Sequence, residues 1–146
     1  MFKFSLETVL KQRRILEENA ARALAEVELK LKNGREKLAQ MENSQERQRQ
    51  ASLKALAQGL PVAEMELARF REVKLMHEVN SNRELLVTIE QDKALKEAEL
   101  LARVKDRRLL EKVREQHQQE WQRGQMLQER KSLDEVAIVR AARLRK

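Results

Sequence analysis

The side chains that could carry chemistry are of few kinds. The chain has 24 Asp and Glu residues and two histidines, but it has no cysteine. The lack of Cys rules out disulfides, thiolate metal sites and cysteine nucleophiles. The sequence has no Gly-rich phosphate loop with a following Lys and Ser or Thr. It also has no pair of histidines at the i, i+4 spacing of a helical metal site.

The two histidines, His77 and His117, stand forty residues apart. A chain that folds back near residue 60 would bring His77 beside about residue 43 and His117 beside about residue 3, so the two would not meet. We expect each of them to be a solvent-facing helical residue. The carboxylates stand among Lys and Arg residues at helical spacing, where ion pairing is their ordinary role. We therefore predict no catalytic residue, no metal site, no cofactor and no enzyme activity.

The stretch around Gly59 and Pro61 determines how the rest of the chain is arranged, because two helix-breaking residues fall together only there. Gly suits the left-handed residue that closes a helix, and Pro suits the first position of the next one. Charged residues make up 38% of the chain and aromatic residues 3%, which is typical of long helices. The sequence predicts an all-α fold, a long antiparallel two-helix coiled-coil hairpin in a single domain, 1–146. Helix one is predicted at about 5–58, the turn at 59–61 and the longer helix two at about 62–142.

Apolar residues recur at helical spacing in the first predicted helix. From Leu24 onward the steps follow those of a coiled-coil seam, and Arg13 and Glu17 fall on or beside the stripe. The stripe consists of Leu6, Val9, Leu10, Leu16, Ala20, Leu24, Val27, Leu31, Leu38 and Met41. Gly34 is a weak spot in this helix, at a cost of about 1 kcal/mol relative to Ala. The seam then lapses into polar residues over 44–50, and Leu53, Leu56 and Leu60 are expected to restore apolar contacts before the turn.

The second predicted helix carries a different apolar stripe. Every eleventh residue from Met65 to Leu109 is apolar, a repeat that drifts in the opposite sense to a heptad. The full stripe consists of Met65, Val73, Met76, Val79, Val87, Ala94, Ala98, Leu101, Leu109 and Val113. We expect these residues to face helix one.

Helix two outruns helix one by about 25 to 30 residues if the two pair from the turn. The overhang, from about His117 to Lys146, is then expected to have no partner within the chain. Its apolar residues are Trp121, Met126, Leu127, Leu133, Val136, Val139 and Leu144. The stretch from Ser132 to Glu135 also matches a capping box, so either the helix restarts there or Ser132 lies within it.

The formal net charge is +7, and the positive excess collects at the end of the chain. From Arg123 to Lys146 there are seven Lys and Arg residues against three Asp and Glu. Such an end fits an acidic partner surface or phosphates. It fits equally well a solvated helix end whose charges complement the helix dipole.

Charge also leaves open an alternative class, a basic coiled-coil nucleic-acid-binding or ribosome-associated factor. Acids interleave with the basic residues through most of the chain, however, and stacking aromatics are missing apart from Trp121. Nucleic acid is therefore the less favoured partner. No apolar run approaches the ~20 residues of a membrane span, and the start does not resemble a secretory signal. The expected compartment is a reducing cytoplasm.

Three stretches of the sequence resemble the FliJ family of flagellar export proteins. The first is the opening, FKFSLETVLKQRR at 2–14, followed by Glu17 and Ala20-Ala21. The second is the turn Gly59-Leu60-Pro61 leading into Glu66, Phe70 and Val73. The third is LDEVA at 133–137, followed by Arg140 and Arg143. Length and layout agree over the whole chain. The injectisome stalk proteins share this architecture and stay an alternative.

The resemblance implies a non-catalytic role in flagellar type III protein export. Members of this family are antiparallel coiled coils similar to the central stalk of rotary ATPases. The resemblance implies that the end of the coiled coil inserts into the hexameric ring of the export ATPase FliI and that the protein also contacts the export gate FlhA. FliH and export chaperones are further implied partners. The implied location is cytoplasmic, peripherally associated with the inner membrane at the flagellar base.

The resemblance also implies two sets of contact residues. The ring-docking end combines the start of helix one with the end of helix two, and its residues are Phe4, Leu6, Val9, Arg13, Leu133, Val136, Arg140 and Arg143. The gate contact lies early in helix two, at Phe70, Val73, Met76, His77 and Asn80. Seam packing is an equal interpretation for Val73 and Met76, whereas Phe70 lies off the predicted stripe and is the better candidate for an exposed contact.

Overall fold

A computed structural model describes residues 1–144. Two helices account for nearly all of this range, α1 from Glu7 to Ala57 and α2 from Val62 to Leu144, and no strand occurs in it. The all-α hairpin with a longer second helix is confirmed, and both helix boundaries lie within two residues of the predicted ones. Two of the basic residues counted at the chain end, Arg145 and Lys146, lie outside the described residues.

The turn between the helices follows the predicted chemistry. Gly59 adopts a φ of +80°, the left-handed conformation that closes a helix without strain in glycine. Its N–H donates to the carbonyl of Leu56, 3.2 Å away, and so completes the last turn of α1. Pro61 stands one residue ahead of α2, and its carbonyl accepts the first helical hydrogen bonds, from the N–H groups of Glu64 and Met65. The chain therefore leaves one helix and enters the next within four residues.

Contacts divide the chain into two compact units. The first, named the turn unit, is Asn19–Leu100, and the second, named the terminal unit, joins Met1–Glu18 to α2 from Leu101 onward. The single-domain assignment stays a prediction.

In the turn unit, two heptad seams hold the helices together. Residues of α1 at alternating steps of three and four face α2, and Ala20, Val27 and Leu31 among them are at most 7% exposed. The predicted seam of α1 is confirmed at these positions and at the half-buried Leu24, Leu38 and Met41. Ion pairs cross between the helices in antiparallel order, Glu28–Lys93 at 3.8 Å, Arg35–Glu90 at 2.9 Å and Glu42–Arg83 at 2.7 Å.

The apolar stripe predicted for α2 is wrong except at Val79, which is 1% exposed and lies in the seam. Its eleven-residue repeat lies outside the seam, with Val87 52% and Leu109 64% exposed. The seam instead follows a strict heptad whose members in the turn unit are Ala68, Glu72, Leu75, Val79, Asn82, Leu86, Ile89, Lys93, Lys96 and Leu100. The stripe was mistaken because several seam positions hold charged residues, which bury their aliphatic stems and keep their charges in water.

Near the turn a groove of about 650 Å³ is lined by residues of both helices. The facing residues there are small or polar, and they include Ser52, Ala55 and Ala68. The expectation that Leu53 and Leu56 restore the seam is wrong, because these side chains are 56% and 48% exposed. They stand one position away from the heptad that Ser52 and Ala55 continue.

Gly34 is a packing position of the seam rather than only a weak spot in α1. A Cβ placed on Gly34 would lie 2.6 Å from Cδ2 of Leu86, closer than two carbon atoms can approach. Leu86 is buried, so its side chain fills the space that the missing Cβ leaves. Glycine therefore permits a close approach of the two helices here.

We expect Gly34→Ala to lower the free energy of unfolding by about 1 kcal/mol, although Ala is the better helix former by about the same amount. The reason is that Leu86 must shift within a packed seam, and overpacking costs about 1–3 kcal/mol. In a Leu86→Ala background, the same change should raise the free energy of unfolding by about 1 kcal/mol. Urea unfolding of the four chains measures this cycle. Equal effects in both backgrounds would contradict the assigned contact.

Candidate binding surfaces

The candidate gate residues form a single surface of the turn unit. At 100° per residue, their positions fall within about a third of the circumference of α2. Phe70, Val73 and Met76 are 68%, 53% and 48% exposed, and His77 and Asn80 are exposed as well. None belongs to the heptad seam, so seam packing does not explain Val73 or Met76. This gate face, defined as Phe70, Val73, Met76, His77 and Asn80, is free to contact another protein.

The candidate ring residues at the start of the chain are partly engaged within the terminal unit. Phe4 is 8% exposed, and its ring meets the edge of His117 at a centroid distance of 5.8 Å. Leu6 and Val9 are each 37% exposed. Arg13 approaches the Asp106 carboxylate to 3.4 Å. Of these four residues, Leu6 and Val9 keep the most accessible apolar surface.

Phe2 was not among the predicted contact residues, yet it reaches further along α2 than Phe4 does. Its ring lies 6.2 Å from that of Trp121 at an interplanar angle of 54°, a tilted aromatic pair. Trp121 is consequently only 39% exposed, and the unpaired part of α2 begins after it rather than near His117. The sequence offered one signal for this pairing: Phe2 and Phe4 alternate, which suits an extended segment whose side chains share one side.

An ion-pair network ties the start of α1 to α2. Arg107 occupies a seam position and donates to Glu17 on α1 and to Glu111 on α2, the latter at 2.6 Å. Glu111 also accepts from Arg14 at 3.1 Å, so it bridges the helices. The Glu17 carboxylate, which accepts hydrogen bonds from the guanidinium, raises the pKa of Arg107, and the charge of Glu111 acts in the same direction against an opposing effect of desolvation. The predicted placement of Arg13 and Glu17 on or beside the seam is confirmed, and both are paired.

Beyond Trp121, α2 continues without α1 beside it. This segment, residues 122–144, is named the α2 extension and spans about 35 Å of helix. Its large apolar side chains are all at least half exposed, and they are Met126, Leu127, Leu133, Val136, Ile138, Val139 and Leu144. The helix runs unbroken through Ser132, whose hydroxyl donates to the Glu129 carbonyl at 2.9 Å. The capping-box alternative is therefore wrong.

The candidate ring residues on the α2 extension are accessible. Leu133 is 69% and Val136 50% exposed, and Arg140 and Arg143 are exposed at the end of the helix. Neither arginine forms an ion pair with another described residue. The two halves of the predicted ring-docking set therefore differ, because those on α1 are partly engaged in the terminal unit and those on α2 are free.

Neither histidine belongs to a site that could bind a metal. His77 lies on the exposed gate face and His117 packs against Phe4. Over residues 1–144, no group of three His, Asp or Glu side chains has the arrangement that a metal ion would need. Within the same range, neither helix has an apolar stretch of the length and hydropathy required to cross a bilayer.

Comparison with known proteins decides the family. The family model described as "Flagellar FliJ protein" matches residues 2–146. The chain belongs to the FliJ family. The resemblance seen in its opening, its turn and its ending is thereby confirmed, and this FliJ family member is a component of type III protein export.

The fold of this FliJ family member is also similar to that of a solved structure. CT670 from Chlamydia trachomatis, described as a YscO homolog, superposes with a TM-score of 0.76 over 95% of this chain and 94% of that one. The two sequences are 20% identical, so this likeness shows the fold alone. No curated protein sequence matches the chain significantly.

The Arg107 network predicts a charge-dependent stability. Arg107→Glu would place a third carboxylate between Glu17 and Glu111, and we expect it to lower the Tm by several degrees in thermal unfolding followed by circular dichroism. Adding Glu17→Arg should recover part of the loss, since the cross-helix pair is then restored in reverse. Arg35→Glu is the control, because the Arg35–Glu90 pair is 62% and 51% exposed and such pairs contribute little. Equal losses for Arg107→Glu and Arg35→Glu would contradict a special role of the network.

Proposed function

We propose that this FliJ family member is a non-catalytic stalk and coupling component of flagellar type III export. In this proposal it binds the ring of the export ATPase FliI through its terminal unit and the export gate FlhA through the gate face. It acts in the cytoplasm, peripherally associated with the inner membrane at the flagellar base. FliH and the export chaperones are further partners in this proposal.

One observation supports the ring contact above all others: α2 extends beyond the start of α1 and carries exposed large apolar side chains there. Packing usually covers such side chains in a helix, and an exposed apolar surface flanked by charge is typical of a protein interface. A transient interface needs only a modest area, so a single helical segment is sufficient. The family assignment gives the class of partner, because the FliJ family works with the export apparatus.

The gate contact is supported by the exposure and shared side of its five candidate residues. A solvent-exposed aromatic side chain is a frequent anchor of protein interfaces. Phe70 has this character, since 68% of its surface is exposed although it stands in a well-formed helix. The surrounding Val73 and Met76 extend the apolar contact area.

The primary test is binding between the full chain and the export ATPase of the same organism. Size-exclusion chromatography should show co-elution with the ATPase hexamer, and the isolated chain should hydrolyse no ATP. The alternative, a nucleic-acid-binding factor, would instead bind DNA or RNA with a steep dependence on salt and would not capture the ATPase. That result would contradict the stalk proposal.

A second test addresses the gate face. Phe70→Ala should weaken binding to the gate protein about tenfold or more, since loss of a central aromatic anchor commonly costs over 1 kcal/mol. The helicity and Tm should change little, because Phe70 lies off the seam. Leu95→Ala is a matched control in the same unit, at 70% exposure, and should leave gate binding unchanged. A large fall in Tm for Phe70→Ala would instead indicate that this ring stabilises the fold.

A further inference from the structure

One side of α2 in the turn unit lacks charged residues although it points to solvent. At 100° per residue, this surface covers about 120° of the helix circumference and lies opposite the heptad seam. It is named the outer face, and it consists of Val87, Thr88, Gln91, Ala94, Leu95 and Ala98. All of these residues are exposed, Val87 at 52% and Leu95 at 70%. An uncharged surface therefore lies where a two-helix hairpin is ordinarily most polar.

The outward side of α1 in the same unit shows the ordinary composition. It carries Glu26, Lys32 and Glu36, all of them exposed. Charged and polar residues on the side away from the seam are what a surface helix normally presents to water. The outer face of α2 departs from this pattern over about three helical turns, so contact with solvent does not explain its composition.

The spacing within the outer face is that of a helix-packing seam. Four of its residues follow one another at steps of four, three and four, and they are Val87, Gln91, Ala94 and Ala98. The hydroxyl of Thr88 donates to the carbonyl of Leu85 at 2.6 Å and is thereby satisfied within the helix. The two alanines, one turn apart, leave room for a second helix to approach closely. The outer face thus has the form of a second seam.

Acidic residues border both edges of the outer face. Glu90 and Glu97 lie along one edge, at 100° per residue. Asp92 and Glu99 lie along the other edge. No ion pair joins Asp92 to another described residue. The other three acids form ion pairs and stay about half exposed, and these pairs are Glu90–Arg35 at 2.9 Å, Glu97–Lys93 at 3.5 Å and Glu99–Lys96 at 3.9 Å. Both edges are therefore accessible to further basic side chains.

These charges decide between the possible occupants of the outer face. Pairing it with the outer face of a second copy would bring the acidic edges of the two chains together, and like charges at an interface cost free energy. A helix with an apolar stripe and basic edges complements both the apolar surface and its acidic borders. The charge pattern therefore favours a basic amphipathic helix over a second copy of this chain.

We propose that the outer face binds an amphipathic helix of a partner protein, whose apolar stripe packs on Val87, Ala94 and Leu95 and whose Lys or Arg residues face the acidic edges. In this arrangement α2 is the middle helix of three, with α1 on one side and the partner on the other. The gate face ends at Asn80, about 10 Å before Val87 along the helix, so the two surfaces are separate. This contact goes beyond the proposed function and does not depend on it.

A synthetic peptide serves as the probe for this contact. It has about 20 residues, enough to form a helix, with Leu and Ala in its stripe and Lys along both edges. A matched peptide carries Glu in place of every Lys. Fluorescence anisotropy of each labelled peptide with the full chain measures the two affinities. The Lys peptide should bind about tenfold more tightly than the Glu peptide, and added salt should reduce this difference.

Variants of the full chain locate the binding surface. Leu95→Gln and Val87→Gln remove apolar surface without loss of helicity by circular dichroism, and each should weaken binding of the Lys peptide about tenfold. Leu29→Gln, on the outward side of α1 at 58% exposure, is the matched control and should change the affinity less than about twofold. Asp92→Lys should reduce the preference for the Lys peptide over the Glu peptide, because it reverses one charge at the edge.

Several results would overturn this inference. The Lys peptide might fail to bind, the two peptides might bind equally, or Leu29→Gln might weaken binding as much as Leu95→Gln. Sedimentation equilibrium of the chain alone tests the other occupant, since self-association that Leu95→Gln abolishes would assign the outer face to a second copy. If Leu95→Gln weakens binding to the gate protein, the outer face belongs to the gate contact instead. None of these results concerns binding to the ATPase, so the proposed function is tested separately.

Discussion

The fold depends on a narrow strip of contact along which two helices touch. Two helices cannot enclose a deep core, and only seven apolar side chains in the described range are buried. The strip is also unusually polar, because α2 places Lys93, Lys96, Arg103, Arg107 and Arg114 at heptad positions. Apolar contact alone would therefore specify the pairing only loosely. Among the cross-helix ion pairs, the Arg107–Glu17 pair adds most to the specification of one antiparallel register, because both side chains are only 23% exposed.

The same strip determines which surfaces are free for partners. Residues one or two positions away from a heptad position point outward, and on α2 these include the gate face. Past Trp121, α1 is absent, and the whole circumference of the helix becomes available. Because most side chains of such a hairpin are exposed, it can present separate binding surfaces to several proteins. Its own stability then depends on few residues, which leaves the others free to serve binding.

Much of the fold could be predicted from the sequence, because its strongest signals are local. Gly59 and Pro61 predicted the turn through their own backbone preferences. The heptad of α1 could be recognised because most of its members are apolar. The seam of α2 could not be found in this way. Its charged members look solvated, while apolar residues such as Val87 and Leu109 stand on the outside. Only the register against α1 decides between the two stripes.

The candidate surfaces were predictable to different degrees for the same reason. Exposure of Phe70 followed from its position off any apolar stripe, and exposure of Leu133 and Val136 followed from the length difference between the helices. The burial of Phe4 and the cover that Phe2 gives to Trp121 depend on a non-helical segment ahead of α1. The alternation of Phe2 and Phe4 suits an extended segment but does not say which residues of α2 the two rings meet, so the two aromatic contacts required the structure.

Because Phe2 packs against Trp121, the fluorescence of Trp121 reports on the contact between the amino-terminal segment and α2. Trp121 is the only tryptophan, and the sequence has no tyrosine. Near-ultraviolet emission therefore arises from one indole, at the place where the second helix emerges from its partner. The polarity around that indole changes when the amino-terminal segment dissociates from α2. It also changes when another protein binds over this contact. The emission maximum would shift accordingly, without any label attached.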